Sequence, residues 1–427
     1  MRNQRGGVKI ITLIGIVIAL LLILFGVIAY KYLAQKDNTI GENIVLPDSN
    51  ASQIDSNDND FSYSFLKLEN NQKNMIYSPL SIKYALKMLQ EGADGNTYSQ
   101  INQVVGNLNL PTTYKNIDKT LSLANGIYIR DTYSQDVKKD FVNTLANKYN
   151  AEIKYDKFED ATNVNKWIED KTFNIIKNMI KDDEVTNPNM KMLLINALAI
   201  DMEWESSFDF NDTSGKAFYL SNGKEETVTT MNRKTSGDDL SYYIDDKITA
   251  VTMNLKKYGD TQLEFMAIMP NNDLQGYIKE LKQEDINNIS GKLVSASKSK
   301  TEIEVNIPKF KFDYDLNLKD DLINMGIKDA FEEFADFSKM SKRKPLYVGK
   351  ALHKADIDFS EKGVKAAAVT VFGIMDYAMA IKEEPKVINI NKPFLFIIRD
   401  KSTKESWFTG TVYEPNLWEN DIQEYNK

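Results

Sequence analysis

Between Thr301 and Leu316 the chain reads TEIEVNIPKFKFDYDL, and apolar and polar residues take turns along it. Ile303, Val305 and Ile307 fall on one side, Glu302, Glu304 and Asn306 on the other. Strand side chains point alternately to opposite faces, so this period of two predicts a half-buried strand. The later stretch KPFLFIIRDKSTKESWFTGTVYEP holds two apolar runs joined by a charged turn, the pattern of a hairpin. MLLINALAID, residues 192–201, is nearly all apolar over a strand's length and predicts a strand covered on both faces. Helical signals come earlier. In YSPLSIKYALKMLQEGADGNT, Ser78 suits an N-cap, Pro79 the first helical position and Gly92 a stop. Leu80, Ala85, Leu86 and Leu89 give that helix an apolar face. NVNKWIEDKTFNIIKNMI, 163–180, predicts a second amphipathic helix, with Trp167, Ile168, Ile175 and Ile176 near one face. NLKDDLINMGI predicts a short helix after the alternating strand. Helices early and strands late make the expected class α+β with antiparallel sheets.

The N-terminus obeys different rules. Ile10 to Tyr30 is a run of 21 residues without a charge. As a helix it spans about 31 Å, close to the thickness of a bilayer's hydrocarbon core. Arg2, Arg5 and Lys9 precede it, which places its start inside the cell and the rest outside. Residues 1–30 are therefore expected to be a single-pass membrane anchor. The alternative is a secretory signal cut near Val27–Ala29, which would release the domain. Residues 31–58 are rich in Asn, Asp and Ser and suit a flexible tether with a reach of roughly 29 Å. No repeat or second linker interrupts 59–418, so one domain is expected there, with 419–427 as a tail. With 42% hydrophobic and 27% charged residues, it has apolar material for a large core.

Composition excludes several chemistries. The chain has no cysteine, hence no disulfide, no thiolate catalysis and no cysteine-bound metal. Its one histidine, His353, rules out a multi-histidine metal site. A net charge of −8 argues against nucleic acid as a partner. No HExxH, glycine-rich phosphate loop or G-x-S-x-G is present, and no cofactor or metal is expected. His353, in KALHKADIDF, reads as a buried hydrogen-bonding residue in a strand. The rival reading makes it the base of a hydrolase triad on an unrelated fold, for which no nucleophile signature exists.

Several separated segments resemble the serpin family, the serine-protease-inhibitor fold. NMIYSPLSIKYALKMLQEGADGNT resembles the family's early helix, NVNKWIEDKT its asparagine–tryptophan helix, and LLINALAIDMEWESSFDFNDT its central-strand segment. IPKFKFDYDLNLKDDLINMGIKDAF, ADFSKMSKRKPLYVGKALHKADIDFSEKG and the closing hairpin follow in the family's order. The likeness covers about 59–418 and, with the N-terminal anchor, suggests a bacterial-type member. It implies three β-sheets with eight to nine helices and an exposed reactive-centre loop at about 361–385. In the family this loop is protease bait; once cut, it inserts as a new strand and drags the acylated protease with it. The resemblance further implies a polar cluster of Ser78, Ser81, Asn196 and His353 where the main sheet opens. It puts Trp204 where the loop enters the sheet and the hinge at Glu361, Gly363, Val364, Ala366, Ala367 and Ala368. None of these is a catalytic residue; the target protease does the chemistry.

The loop EKGVKAAAVTVFGIMDYAMA, 361–380, has a composition that permits insertion. Val364, Ala366, Ala368, Thr370, Phe372 and Ile374 would face inward; none is charged and no proline interrupts them. A charge at Val364 or Ala366 would have to be buried. Lys365 stands where the family usually has an acid, and Val364 where threonine or serine is common; Lys365 falls on the outward side. Fourteen residues past Gly363 the family's count puts the cut at Tyr377–Ala378, with Met375, Met379 and Lys382 as alternatives in other registers. The tyrosine suits a chymotrypsin-like pocket, and Lys382 a trypsin-like one. Expected partners are chymotrypsin-like, elastase-like or subtilisin-like serine proteases, and papain-like cysteine proteases. The inhibitor is expected to act as a monomer. A non-inhibitory serpin, serving as a binding or chaperone module, is the alternative; such members often carry charge or proline in the hinge.

Overall fold

The computed structural model describes residues 61–418, apart from 70, 107–115, 118 and 365–383. All of them belong to the compact unit Ile54–Lys427. The expected anchor, linker and tail lie outside the described residues. None of the described helices is long and apolar enough to cross a membrane.

The deepest layer is a seven-stranded sheet. Its order is β1 (Met75–Tyr77), β18 (Ser406–Val412), β17 (Phe394–Asp400), β10 (Leu263–Pro270), β9 (Ile248–Asn254), β8 (Leu240–Ile244) and β11 (Val294–Ser295). β9, β10, β17 and β18 are buried along their whole length. With both faces covered, the polar–apolar alternation of a half-wet strand disappears, which is how the closing hairpin reads.

A four-stranded sheet runs β16 (Lys386–Asn389), β12 (Ile303–Pro308), β7 (Glu225–Thr235), β6 (Ser214–Tyr219). Here the opening expectation needs correction. The alternating stretch 301–316 is two strands in two sheets, because β12 stops at Pro308 and β13 (Phe310–Asn317) begins after Lys309. Proline has no N–H for the ladder, and the Lys309 N–H turns aside to the Thr229 carbonyl at 2.8 Å.

The third layer is parted. One block is β3 (Glu152–Asp156), β2 (Leu121–Arg130) and β4 (Met192–Ile200). The other is β13, β14 (Leu352–Ser360), β15 (Gly363–Val364) and β5 (Met202–Glu203). β5 continues β4 beyond Asp201, so the two blocks are halves of one layer. Four hydrogen-bonded sets thus appear where three sheets are expected, since no ladder joins β4 to β14 among the described residues. The start of β4, Met192–Leu194, is only partly covered, unlike Ala197–Ile200, so the expectation of two covered faces holds for its second half alone.

Nine α-helices occur among the described residues: α1 (Phe61–Leu68), α2 (Pro79–Gly92), α3 (Gly95–Val105), α4 (Lys139–Tyr149), α5 (Thr162–Lys171), α6 (Asp182–Thr186), α7 (Leu274–Glu280), α8 (Gln283–Lys292) and α9 (Leu318–Asn324). α2 starts as its sequence predicts: Ser78 Oγ accepts the Ser81 N–H at 3.0 Å, with Pro79 first in the helix. α5 is shorter than predicted. It ends at Lys171, and Phe173, Asn174 and Asn178 take positive φ angles that no helix continues through. Asn165 ties the turned segment back, donating to the Ile180 carbonyl at 2.7 Å and accepting its N–H at 2.9 Å. Val164, Trp167 and Ile168 of α5 pack on Ala124, Tyr128, Ile195 and Ala197 of β2 and β4. Gly126 admits this packing; a Cβ there would meet the Trp167 ring at 2.9 Å.

Candidate functional site

Residues 360–362 are held by an otherwise irregular segment, Trp204–Phe208. The Trp204 indole N–H donates to the Ser360 carbonyl at 2.8 Å. The Phe208 N–H donates to the Glu361 carbonyl and the Trp204 N–H to that of Lys362, both at 2.9 Å. Three successive carbonyls are thereby held. The Trp204 ring anchors the clamp, buried edge-on among Phe208, Phe265 and Phe359. The Glu361 side chain is 1% exposed, so its charge needs partners. Lys309 pairs with it at 3.1 Å, and the Thr213 hydroxyl donates to it at 3.0 Å.

Gly363 is fixed by close approach. A Cβ there would lie 2.1 Å from the Met202 carbonyl oxygen, at a φ of +156°. No residue with a side chain fits without moving the backbone. Val364 is paired on both sides, with Phe359 of β14 and Met202 of β5, and its side chain is buried in the core. Below Val364 the seam between the half-sheets is a narrow cavity walled by Leu198, Ala199 and Ile200 of β4 and by Ala355, Asp356 and Ile357 of β14. Ile175 and Ile176, from the turned segment after α5, line it too. Ala366, Ala367, Ala368, Met375, Tyr377, Ala378, Met379 and Lys382 lie outside the described residues.

The four residues of the expected polar cluster are not all together. His353, on β14, accepts the Ser78 N–H through Nε2 at 2.9 Å, and Ser78 caps α2 with its hydroxyl. Asn196 is across the seam, on β4. It donates to Asn125 Oδ1 at 2.8 Å, and Asn125 donates to the Tyr149 carbonyl at 2.8 Å. Asn196 Oδ1 is buried with no hydrogen-bond partner. The seam separates Asn196 from the others. His353 offers its Nε2 lone pair to a backbone amide, not to a serine hydroxyl.

Burial pushes the His353 imidazole down to about 4 from its ordinary 6.5. The unfolded chain then takes up the proton first, so stability present above pH 6.5 is lost as pH falls toward 4, by roughly 3 kcal/mol in all. Asp321, raised to about 6 by burial and the Glu69 carboxylate, acts in the opposite sense, gaining stability as pH falls through 6. Comparing wild type with His353→Gln by urea unfolding cancels that common contribution. The stability difference between the two should shrink by roughly 3 kcal/mol from pH 7 to pH 4; a pH-independent difference would refute the assignment.

Sequence reasoning missed Asn125, Lys309, Thr213 and Phe208. Asn125 had a signal: it is a lone amide in the apolar run LSLANGIYI and lies directly opposite Asn196 in the β2–β4 ladder. Lys309 and Thr213 had none, because their partner Glu361 is distant in the chain.

The family model described as Serpin (serine protease inhibitor) matches residues 56–415. A leukocyte elastase inhibitor of Xenopus tropicalis is 30% identical, over 81% of this chain and 95% of its own length. A serine protease inhibitor of Cyanea capillata is 27% identical, over 83% of this chain and 95% of its own. The native-state crystal structure of tengpin, a thermophilic serpin, superposes with a TM-score of 0.71 at 30% identity, covering 88% of this chain and 98% of that one.

Proposed function

The chain belongs to the serpin family, and from that premise we propose that it is a suicide inhibitor of extracellular serine proteases, held at the membrane by residues 10–30. The cut loop enters the seam as a new strand between β4 and β14 and traps the acyl-enzyme. One observation carries the reading. β15 is paired on both sides while, among the described residues, no ladder joins the strands below it, so the first two residues of the loop already lead into an open position.

The register supports it further. Stepping along from Val364 sets Ala366 opposite Ile357 and Ile200, and Ala368 opposite Ala355 and Leu198. Thr370 then comes opposite His353 and Asn196, the one polar member of the inward set at the one polar level among the inward pairs. Its hydroxyl would reach the level of the unsatisfied Asn196 Oδ1. Small residues come first, where the sheet must part.

The test is incubation of the exported domain with chymotrypsin, elastase, trypsin and subtilisin. At least one should give a covalent complex that survives denaturation, and the mass of the released peptide locates the bond, Tyr377–Ala378 in this proposal. Clean cleavage by all four with no complex would sink the inhibitor reading and leave the binding-module alternative.

A further inference from the structure

The clamp that holds the hinge is itself held by a residue no motif singles out. Arg233, on β7 opposite Val305 of β12, is 8% exposed. Its Nη1 donates to the Ser206 carbonyl, in the middle of the clamping segment. Its Nη2 pairs at 2.8 Å with Asp239, itself 9% exposed. The guanidinium carbon stands 5.3 Å from the centre of the Phe208 ring. One planar cation therefore grips the segment twice, by a carbonyl and by a ring, and is neutralised from behind. Lysine cannot do all three at once. Asp239 is anchored in turn, because its carbonyl accepts the Asn254 N–H at 2.8 Å. Glu205 ties the start of the segment to the same strand end: its carboxylate accepts from Asn254 at 2.8 Å and from Gln262 at 3.1 Å.

We propose that Arg233 is a positioning residue for the hinge: it holds Ser206 and Phe208 so that the amides of Trp204 and Phe208 keep their grip on Lys362 and Glu361. Trp204–Phe208 follows β5 with no helix or strand of its own; backbone bonds fix its start, where Trp204 bridges Leu255 and the Glu205 N–H donates to the Asn254 carbonyl at 2.9 Å, while its middle, Ser206, is held by the Arg233 side chain. Arg233 is the cation in contact with both its carbonyl and its ring. β7 also lies one strand from β12, on which β16 pairs, so the sheet that receives the far end of the loop carries the residue that fixes the near end. The consequence for insertion rests on the inhibitor reading above; the holding role does not.

The experiment is hydrogen–deuterium exchange of the intact exported domain, read at Trp204 and Phe208, whose amides report the clamp directly. Arg233→Gln should exchange at both at least tenfold faster than wild type, with α2 and β17 unchanged; Arg233→Lys should fall between. Unaltered exchange at Phe208 overturns the proposal. So does equal acceleration throughout the domain, the mark of a merely structural residue. Should Arg233→Gln fail to fold, Asp239→Asn, which loosens Arg233 from behind, is judged by the same two criteria. Complex formation by the wild type with chymotrypsin, elastase, trypsin and subtilisin is measured separately. Its absence sinks the inhibitor reading and leaves the exchange result to decide the clamp.

Discussion

Cutting the chain once between Met375 and Lys382, with the rest of the domain intact, should raise its unfolding temperature by on the order of 20 °C. An inserted stretch of about ten residues gains about twenty ladder bonds at about 1 kcal/mol each. Burial of Phe372 and Ile374 adds about 2 kcal/mol apiece. Ordering ten residues opposes this by about 1 kcal/mol each. The balance is on the order of 15 kcal/mol, and a domain of this size changes by about 0.8 kcal/mol per degree near its midpoint. Differential scanning calorimetry before and after limited proteolysis reads the shift. A cut protein that melts with the intact one has not inserted its loop, and the parted sheet would then have no such role.

Ala366→Arg is the second large effect. Val364 is already buried in the uncut protein, so a charge there would damage the starting state as well. Ala366 is the first inward position beyond it, opposite Ile357 and Ile200 in the continued register. Burying a guanidinium between two isoleucines costs several kcal/mol. Insertion competes with hydrolysis of the acyl-enzyme, and each 1.36 kcal/mol on the insertion barrier slows it tenfold. Complex yield should drop at least tenfold while cleavage continues, converting inhibitor into substrate. Ala366→Met, of similar length and uncharged, should keep most of the yield. Equal yields for the arginine and methionine variants would contradict the inward facing.

Local signals in the sequence survived best. Ser78 and Pro79 start α2 because capping depends on three neighbouring residues, whatever the rest of the chain does. Signals that depend on partners survived less well. The alternation from Ile303 to Leu316 predicts strand but says nothing about which sheet, and Pro308 divides it between two. Ile175 and Ile176 keep helical spacing with Trp167, yet the chain leaves the helix at Lys171 and brings them to the seam. The polar cluster was only half legible, for a further reason. Whether Asn196 meets His353 depends on whether the seam is open, and a sequence describes both states with the same letters.

The pairing of Gly363 and Val364 has one more consequence. Advanced by a single residue, the same register sets Lys365 across from Asp358 on one side and Asp201 on the other. Asp358 meanwhile has Lys311 at 2.9 Å. The residue that departs from the family's usual acid would therefore begin insertion between two carboxylates, trading places with Lys311 at one of them. On the inhibitor reading the first step of the zipper would be an exchange of cations, and its rate should fall as salt is added.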